Sequence, residues 1–151
     1  MRALIQRVSH ASVEVEGKTL GSIQQGLLVL LGIAHEDTET DQDWLIRKVL
    51  NLRIFSDEEG KMNLSVKDIQ GEILLISQFT LFANSKKGNR PSYIRSAPPA
   101  ISIPMYERFL DELQAQFPGK VASGEFGADM KVSLLNDGPV TILLDSQQQD
   151  I

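Results

Sequence analysis

The stretch Gly26-Leu27-Leu28-Val29-Leu30-Leu31-Gly32-Ile33 is continuously apolar and is bounded by glycines. A strand with one solvated face alternates apolar and polar residues, whereas a strand buried on both faces is a continuous apolar run. The run is far shorter than the roughly 20 apolar residues that a membrane-spanning helix needs. It therefore predicts a strand at the centre of a sheet that is covered on both faces.

Further strands are predicted on both sides of this stretch. Residues 3–8 and 11–16 are short and rich in β-branched side chains, and Ser9-His10 between them predicts a hairpin turn. Residues 73–82 form a second long apolar run after a turn at residues 56–61. Three more strands, at residues 121–126, 131–135 and 140–144, are predicted to close the domain around two turns.

Two helices are predicted from apolar residues at helical spacing. The first covers residues 38–52, with Asp37 or Thr38 as its N-cap. The second follows Ser102 as a candidate cap, has Pro104 in its first turn and ends at Pro118-Gly119. Many strands with only two helices indicate an α+β fold, a mostly antiparallel sheet or barrel with helices on one side.

The composition limits the number of domains and the kinds of site. The chain has 151 residues, 42% apolar and 23% charged, which suits one globular domain; we predict a domain at 1–145 and a frayed tail at 146–151. It contains no cysteine and only His10 and His35, so thiolate chemistry is excluded and neither a metal nor a cofactor is predicted.

Without a signal peptide or membrane segment, a cytoplasmic protein is expected. The large apolar surface suggests a homodimer.

Charge is distributed unevenly along the acidic chain, whose net charge is −5. No acidic residue lies between Glu72 and Glu107, a segment that holds four basic residues: Lys86, Lys87, Arg90 and Arg95. Such a segment suits contacts with a polyanion, because phosphate binding depends on local lysine and arginine. A solvated loop explains the same pattern, and the residues alone leave both interpretations open.

Two other stretches combine polar residues with predicted strands. Ser77, Gln78 and Thr80 interrupt the second apolar run, and strand alternation would place Ser77 on one face with Gln78 and Thr80 on the other. These side chains either line a cleft or mark the point where the strand leaves the core. Asn136-Asp137-Gly138-Pro139 has the composition of a turn between strands, although a Gly-Pro bond also adopts the cis form readily.

The two stretches Ser77-Gln78-Phe79-Thr80-Leu81 and Asn136-Asp137-Gly138-Pro139-Val140-Thr141 resemble the two signature motifs of the D-aminoacyl-tRNA deacylases, historically called D-tyrosyl-tRNA deacylases. Further similarity extends over nearly the whole chain. The resemblance implies a homodimer with a three-layer β/β/α arrangement. It also implies hydrolysis of the ester that joins a D-amino acid to the 3′-terminal adenosine of tRNA, with L-aminoacyl-tRNA spared and mischarged glycyl-tRNA accepted.

The resemblance also implies roles for particular residues. The catalytic stretch would be Ser77, Gln78, Phe79 and Thr80, with the amides of Phe79 and Thr80 as an oxyanion site and Gln78 positioning the adenosine. A cis Gly138-Pro139 would enter the partner's active site, where its carbonyls select the D configuration. Phe126 and Met130 would be pocket walls, and the four basic residues of the cationic segment would contact the acceptor stem.

Two mechanisms and two other functions remain open at this point. Thr80 has no obvious activating base in the sequence, which favours assistance by the 2′-hydroxyl of the tRNA over a threonine nucleophile. A non-catalytic tRNA-binding module would bind uncharged tRNA without turnover. A serine or threonine esterase would act on small esters without tRNA and would need the Thr80 hydroxyl.

Overall fold

The computed structural model describes residues 1–151 and confirms the α+β class with two helices. Eight strands are present: β1 Arg2–Val15, β2 Lys18–Ile23, β3 Gly26–Gly32, β4 Phe55–Ser56, β5 Met62–Leu64, β6 Glu72–Ser77, β7 Val121–Ser123 and β8 Lys131–Asp145. The helices are α1 Glu39–Asn51 and α2 Pro99–Gln116, and a 3₁₀ helix covers Phe79–Phe82. No helix has the length and apolar character needed to cross a membrane.

The main sheet has six strands and is organised around β1. Its order is β2-β1-β3-β6-β7, and β8 pairs with β1 along the other edge. Strands β2, β3 and β8 run antiparallel to β1, while β6 is parallel to β3 and to β7. At Gly21 an added Cβ would lie 3.0 Å from the Ser123 carbonyl oxygen, so β2 closely approaches β7 and the sheet is almost closed into a barrel.

Strand β3 lies between β1 and β6 and is buried on both faces, as predicted. Its Leu27, Val29 and Leu31 belong to the larger hydrophobic cluster, which the two helices cover. Leu28 belongs to the smaller cluster on the opposite face of the sheet, together with residues of β1, β2 and β6. Alternate side chains of this one strand therefore pack into two different hydrophobic clusters. For that reason the apolar run contains no polar residue.

The predicted hairpin at Ser9-His10 is wrong, because β1 continues through both residues. The chain reverses instead at Glu16 and Gly17, whose φ angles are 50° and 76°, and Val15 pairs with Lys18 across this turn. Two central residues with positive φ match the twist of a two-residue hairpin. The pairing of β1 with β8 on both sides of Ser9 keeps that residue extended, with only a local shift of register.

The predicted turn between two strands at residues 136–139 is also wrong, because these residues lie within the single strand β8. Gln6 pairs with Thr141 and Val8 pairs with Asn136, so four residues of β8 lie opposite one residue of β1. The segment is a large β-bulge with several extra residues. Its ends are joined by the Asn136 side chain, whose Nδ2 donates to the carbonyls of Arg7 at 3.2 Å and Val140 at 3.0 Å.

Three other boundaries differ from the predictions. Strand β6 ends at Ser77 rather than continuing to Phe82, and β7 ends at Ser123. Helix α2 begins at Pro99, since a proline suits the first helical position, so Pro104 lies inside the helix. Ser102 is not the cap, and its hydroxyl donates to the Pro98 carbonyl from within the first turn.

Helix α1 starts as predicted, with Thr38 as the N-cap. The Thr38 N–H and hydroxyl both donate to the Asp41 carboxylate at 2.8 Å, which satisfies groups at the helix start. Beyond β8, the buried Ser146 donates its N–H to the Met1 carbonyl, and the Gln147 side chain donates to Asp41.

Candidate active site

A cavity of about 560 Å³ opens where β6 ends. Its walls come from the end of β6 and the start of the 3₁₀ helix, the loop that leads into α2, and the segment between β7 and β8. Most of the lining is apolar, and the polar side chains present are those of Ser77, Gln78, Tyr93, Ser96, Ser102 and Asp129. An apolar cavity with a few convergent polar groups is typical of a small-molecule site.

Gln78 begins a sharp change of backbone direction beside this cavity. Its N–H donates to the Leu31 carbonyl at 2.7 Å, which extends the ladder between β3 and β6 by one bond. The 3₁₀ turns then use the N–H groups of Leu81 and Ala83, which donate to the carbonyls of Gln78 and Thr80. The N–H groups of Phe79 and Thr80 precede these turns and receive no side-chain cap. Two neighbouring backbone donors therefore have no partner within the fold; Phe79 lines the cavity, and Thr80 is the next residue along the chain.

The side chain of Thr80 contacts Gln78 rather than a base. The Gln78 Nε2 donates to the Thr80 hydroxyl, so the two polar residues orient each other. Tyr93 and Asp129 are the only titratable residues that line the cavity, and neither His10 nor His35 does so. Asp129 pairs with Lys131 at 3.0 Å on an exposed part of the chain. The cavity therefore contains no histidine or lysine to activate a hydroxyl nucleophile.

Phe126 and Met130 are half-buried and line the cavity, together with the exposed ring of Phe79. The Phe126 ring meets Tyr106 edge-on at 5.6 Å, and the Tyr106 hydroxyl donates to the Leu75 carbonyl. Burial raises the pKa of Tyr106 to about 12, so its hydroxyl remains a donor well into the alkaline range. Phe79 meets Tyr93 edge-on at 5.1 Å. These contacts hold the aromatic walls in place.

Gly138 and Pro139 lie apart from the cavity lining of this chain. Both are exposed on the bulge of β8, and the peptide bond between them is cis. Arg7 supports the bulge from β1, because its Nε donates to the Asp137 carbonyl at 2.8 Å and its guanidinium also donates to the Ile54 carbonyl. The structure thus separates the two sequence motifs, one beside the cavity and one on an outer surface.

Three of the four basic residues lie on one exposed loop: Lys86, Lys87 and Arg90. Paired hydrogen bonds between Asn84 and Ser92 close the base of this loop. Arg95 lies beyond the loop, where it pairs with Glu36 at 3.3 Å and stacks over the Phe82 ring. The cationic segment is therefore a loop of three free side chains with a fourth arginine engaged within the fold.

Comparisons with known proteins agree along the whole chain. A family model described as D-Tyr-tRNA(Tyr) deacylase matches residues 4–145. The chain belongs to this family. A protein named D-aminoacyl-tRNA deacylase from Flavobacterium johnsoniae is 57% identical over 150 residues, 99% of this chain and 100% of that protein. A protein of the same name from Thermosipho africanus is 58% identical over 148 residues, 98% of this chain and 99% of that protein. The predictions of family and enzyme class are confirmed.

Solved structures of related proteins share the fold. One described as a c-Myc DNA unwinding element binding protein superimposes with a TM-score of 0.92 at 45% identity, over 96% of this chain and 98% of that chain. Another, described as a probable eukaryotic D-amino acid tRNA deacylase, has a TM-score of 0.79 at 18% identity, over 95% of this chain and 98% of that chain. The second likeness concerns the fold alone.

Sequence reasoning missed several residues that shape the deacylase-family site. Tyr93 and Ser96 line the cavity, and the Ser96 hydroxyl donates to the Phe79 carbonyl at 2.8 Å. Arg7 supports the bulge from a strand distant in sequence. Neither their residue types nor their spacing carries a signal, because Ser96 and Arg7 bind backbone carbonyls, and Tyr93 contacts the Phe79 ring, only after folding brings these groups together.

Proposed function

We propose that this chain is a D-aminoacyl-tRNA deacylase that hydrolyses the ester between a D-amino acid and the 3′-terminal adenosine of tRNA. Water adds to the ester carbonyl and the bond to the ribose oxygen breaks, which frees the amino acid and the tRNA. The observation that carries the proposal is the turn at Gln78, where the N–H groups of Phe79 and Thr80 have no partner in the fold and Phe79 lines an apolar cavity that lacks a histidine or lysine base.

The amides of Phe79 and Thr80 form the oxyanion site in this proposal. The carbonyl oxygen of the ester gains negative charge when water attacks, and fixed backbone donors stabilise that charge without reorganising. Removing one such donor in other enzymes costs about 3–4 kcal/mol of transition-state stabilisation. The rigid 3₁₀ helix keeps both donors in place, while Ser77 contributes to the cavity wall beside them.

The 2′-hydroxyl of the tRNA assists the attacking water in this mechanism. A threonine nucleophile needs an adjacent base, and the Thr80 hydroxyl instead accepts a hydrogen bond from Gln78. An aminoacyl ester is already labile, so positioning the ester, the water and the ribose hydroxyl supplies most of the required rate enhancement. Thr80 then serves through its backbone amide and through its contact with Gln78.

The terminal adenosine occupies the apolar cavity. Its flat base suits the aromatic edges of Phe79 and Phe126 and the adaptable side chain of Met130. Gln78 at the cavity edge contacts the ribose end of the ester.

The exposed loop that holds Lys86, Lys87 and Arg90 contacts phosphates of the acceptor stem. A cytoplasmic location, where charged tRNA is found, belongs to the same proposal.

A homodimer completes the site. Gly138 and Pro139 are exposed and line no part of their own chain's cavity, so they act on a neighbouring copy. In the dimer their carbonyls accept hydrogen bonds from the α-ammonium group of the substrate and leave no space for an L side chain. A filter of fixed carbonyls excludes the wrong configuration sterically and admits varied D side chains. Glycine, which has no side chain, passes this filter.

The decisive experiment measures hydrolysis of D-tyrosyl-tRNA, L-tyrosyl-tRNA and glycyl-tRNA by the purified protein with a chelator present. Rapid loss of the D and glycyl esters with the L ester spared supports the proposal. Equal hydrolysis of the D and L esters contradicts the chiral filter. Binding of uncharged tRNA without turnover of any ester identifies the chain as a binding module instead.

The cationic loop is tested separately with the double substitution Lys86→Gln/Lys87→Gln. Loss of two phosphate contacts raises KM for D-tyrosyl-tRNA severalfold, leaves kcat unchanged and lowers the slope of log affinity against log salt by about 1–2. Lys61→Gln, on the exposed turn between β4 and β5, is the matched control. An unchanged salt slope in the double variant would show that the loop is merely solvated.

A further inference from the structure

The 3₁₀ helix that follows Gln78 is held by a residue close to the N-terminus, 79 positions from its bonding partner. Arg2, the first residue of β1, donates from Nη1 to the Leu81 carbonyl at 2.9 Å. Its Nε donates to Asp145, the last residue of β8, at 2.7 Å. One guanidinium therefore joins the start of β1, the end of β8 and the turn beside the cavity.

The Phe82 side chain is the second attachment of this turn. Its ring is buried, with the guanidinium of Arg2 at 4.8 Å from the ring centroid and that of Arg95 at 5.5 Å. Arg95 is held in turn by Glu36. Cation–π contacts of this kind contribute about 0.5–2 kcal/mol each, depending on how far the pair is removed from water.

Close packing leaves the turn little freedom to shift toward the sheet. An added Cβ at Gly32 would lie 3.0 Å from the Gln78 carbonyl oxygen and 3.1 Å from the Leu81 Cβ. The end of β3 thus blocks one direction of movement, while Arg2 opposes movement of Leu81 away from the strands. Leu81 follows directly after the two residues whose amides are proposed to stabilise the oxyanion.

We propose that Arg2 is a positioning residue for the deacylation reaction, which acts through the Leu81 carbonyl to hold the Phe79 and Thr80 amides in place. This inference rests on the proposed function of those amides. Arg2 lines no part of the cavity and touches no substrate. Its effect is on transition-state geometry, because displacement of a catalytic donor by about 1 Å is enough to cost on the order of 100-fold in rate.

An arginine suits this role better than a lysine does. The planar guanidinium directs Nε and Nη1 to different acceptors at once, here a carboxylate and a backbone carbonyl. A lysine ammonium keeps the charge but has no fixed fork. Arg2→Lys is therefore expected to retain the fold and to lose part of the positioning.

The test compares Arg2→Met with Arg108→Met, since Arg108 pairs with Asp43 and Glu39 on the surface of the helices away from the cavity. We expect Arg2→Met to lower kcat for D-tyrosyl-tRNA by about tenfold with KM within about twofold, the pattern of an interaction made in the transition state. Arg2→Lys falls between wild type and Arg2→Met, and Arg108→Met matches wild type. Thermal unfolding of each variant checks that the proteins are folded at the assay temperature.

A second readout does not depend on activity. In the ¹⁵N-labelled free protein, the amide resonances of Phe79 and Thr80 should shift or broaden in Arg2→Met and Arg2→Lys, and stay in place in Arg108→Met. Folded Arg2 variants with unchanged kcat, or with unmoved Phe79 and Thr80 resonances, would overturn the inference. If the wild-type protein hydrolyses no aminoacyl ester, the proposed function fails, whereas the amide resonances still decide whether Arg2 holds the turn.

Discussion

The turn at Gln78–Phe82 and the bulge at Asp137–Val140 both interrupt a strand of the same sheet, but they face different surroundings. The turn ends β6, borders the cavity and has the buried Phe82 ring as an anchor. The bulge stays within β8, has exposed Gly138 and Pro139 at its tip and is held at its base by Arg7 and Asn136. One motif is built into its own chain's site, and the other is presented outward.

This difference assigns separate tasks to the two regions in the proposed function. A buried, anchored turn suits transition-state stabilisation, because its donors must not move during the reaction. An exposed bulge with a rigid base suits selection of a substrate held by a neighbouring copy. Substitutions in the bulge should therefore change which ester is hydrolysed, and substitutions in the turn should change how fast it is hydrolysed.

The largest effect is expected for Gly138→Ala. At φ +150° an added Cβ would lie 2.6 Å from the Val140 N and 2.7 Å from its Cγ2, so the bulge must change shape. We expect the ratio of D-tyrosyl-tRNA to L-tyrosyl-tRNA hydrolysis, or the D rate itself, to fall by at least about tenfold, in line with a strain of about 1–3 kcal/mol. The measurement is single-turnover hydrolysis of both esters.

Gly60→Ala is the control for that substitution. Gly60 also has a positive φ of +78°, but an added Cβ would meet nothing within 4 Å. Both variants therefore carry a backbone cost, and only Gly138→Ala carries a clash. Equal hydrolysis of both esters by Gly138→Ala and Gly60→Ala would mean that the bulge has no part in selection.

A smaller effect is expected for Arg7→Ala. Arg7 holds the Asp137 carbonyl directly before Gly138, and its loss frees the base of the bulge without a clash at the tip. We predict that discrimination between the D and L esters falls by about three- to tenfold, corresponding to one hydrogen bond that contributes about 1 kcal/mol. A different result would contradict this prediction. If Arg7→Ala hydrolyses the D ester more slowly but keeps its discrimination against the L ester, Arg7 affects the rate, as residues of the turn do, and not the selection.

Thr80→Ala tests the role of the turn, for which we expect an effect on rate and none on selection. The substitution keeps the backbone N–H and removes a hydroxyl that accepts from Gln78. We expect hydrolysis of the D ester to fall less than about fivefold, as for a lost neutral hydrogen bond, with chiral discrimination unchanged. Complete loss of turnover in a folded protein would instead identify the Thr80 hydroxyl as the nucleophile.

The smallest effect is expected for the pH dependence of stability at Asp145, the carboxylate that binds Arg2. Burial raises the pKa of Asp145, but hydrogen bonds from Arg2 and the Gln147 N–H outweigh burial and lower it below the usual value. The stabilisation is then complete above the unfolded pKa of about 3.9 and is lost as the pH falls through the lower folded pKa. Urea unfolding should show Asp145→Asn about 1–2 kcal/mol less stable than wild type at pH 7, with the gap closing below about pH 4.

Asp129→Asn serves as the control in that series, because its carboxylate is 86% exposed. Its free energy of unfolding should follow the wild-type curve at every pH. A difference between Asp145→Asn and wild type that persists unchanged at pH 3 would show that the Asp145 carboxylate is not what stabilises this end of β8.

Sequence patterns predict a structural feature correctly where the interactions that produce the feature are local or strictly periodic. The apolar run of β3 is buried on both faces because its alternate side chains enter two cores. Helix α1 begins after its N-cap Thr38, whose N–H and hydroxyl both donate to the carboxylate of the aspartate three residues later. The motif at Ser77–Leu81 was found because polar residues interrupt an apolar run, although the strand was predicted to continue through it.

The errors share a physical reason. Ser9-His10 and Asn136–Pro139 have residue types that permit a turn, yet both lie in strands because β1 and β8 pair along nearly their whole length. Turn propensity is a weak preference that extended pairing overrides. The hydrogen bonds of Arg2 to Leu81 and of Arg7 to Asp137 join residues 79 and 130 positions apart, so no local pattern encodes them.

By itself the sequence determined the class of fold, the buried strands, the two helices and the two motifs of the family, because burial and short motifs leave periodic or local marks. Only the tertiary structure decided that β6 ends in a 3₁₀ helix, that the second motif is a bulge, and that two motifs in one chain face different surroundings. Those features depend on which strands pair and in which register, and register follows from the whole set of packed side chains.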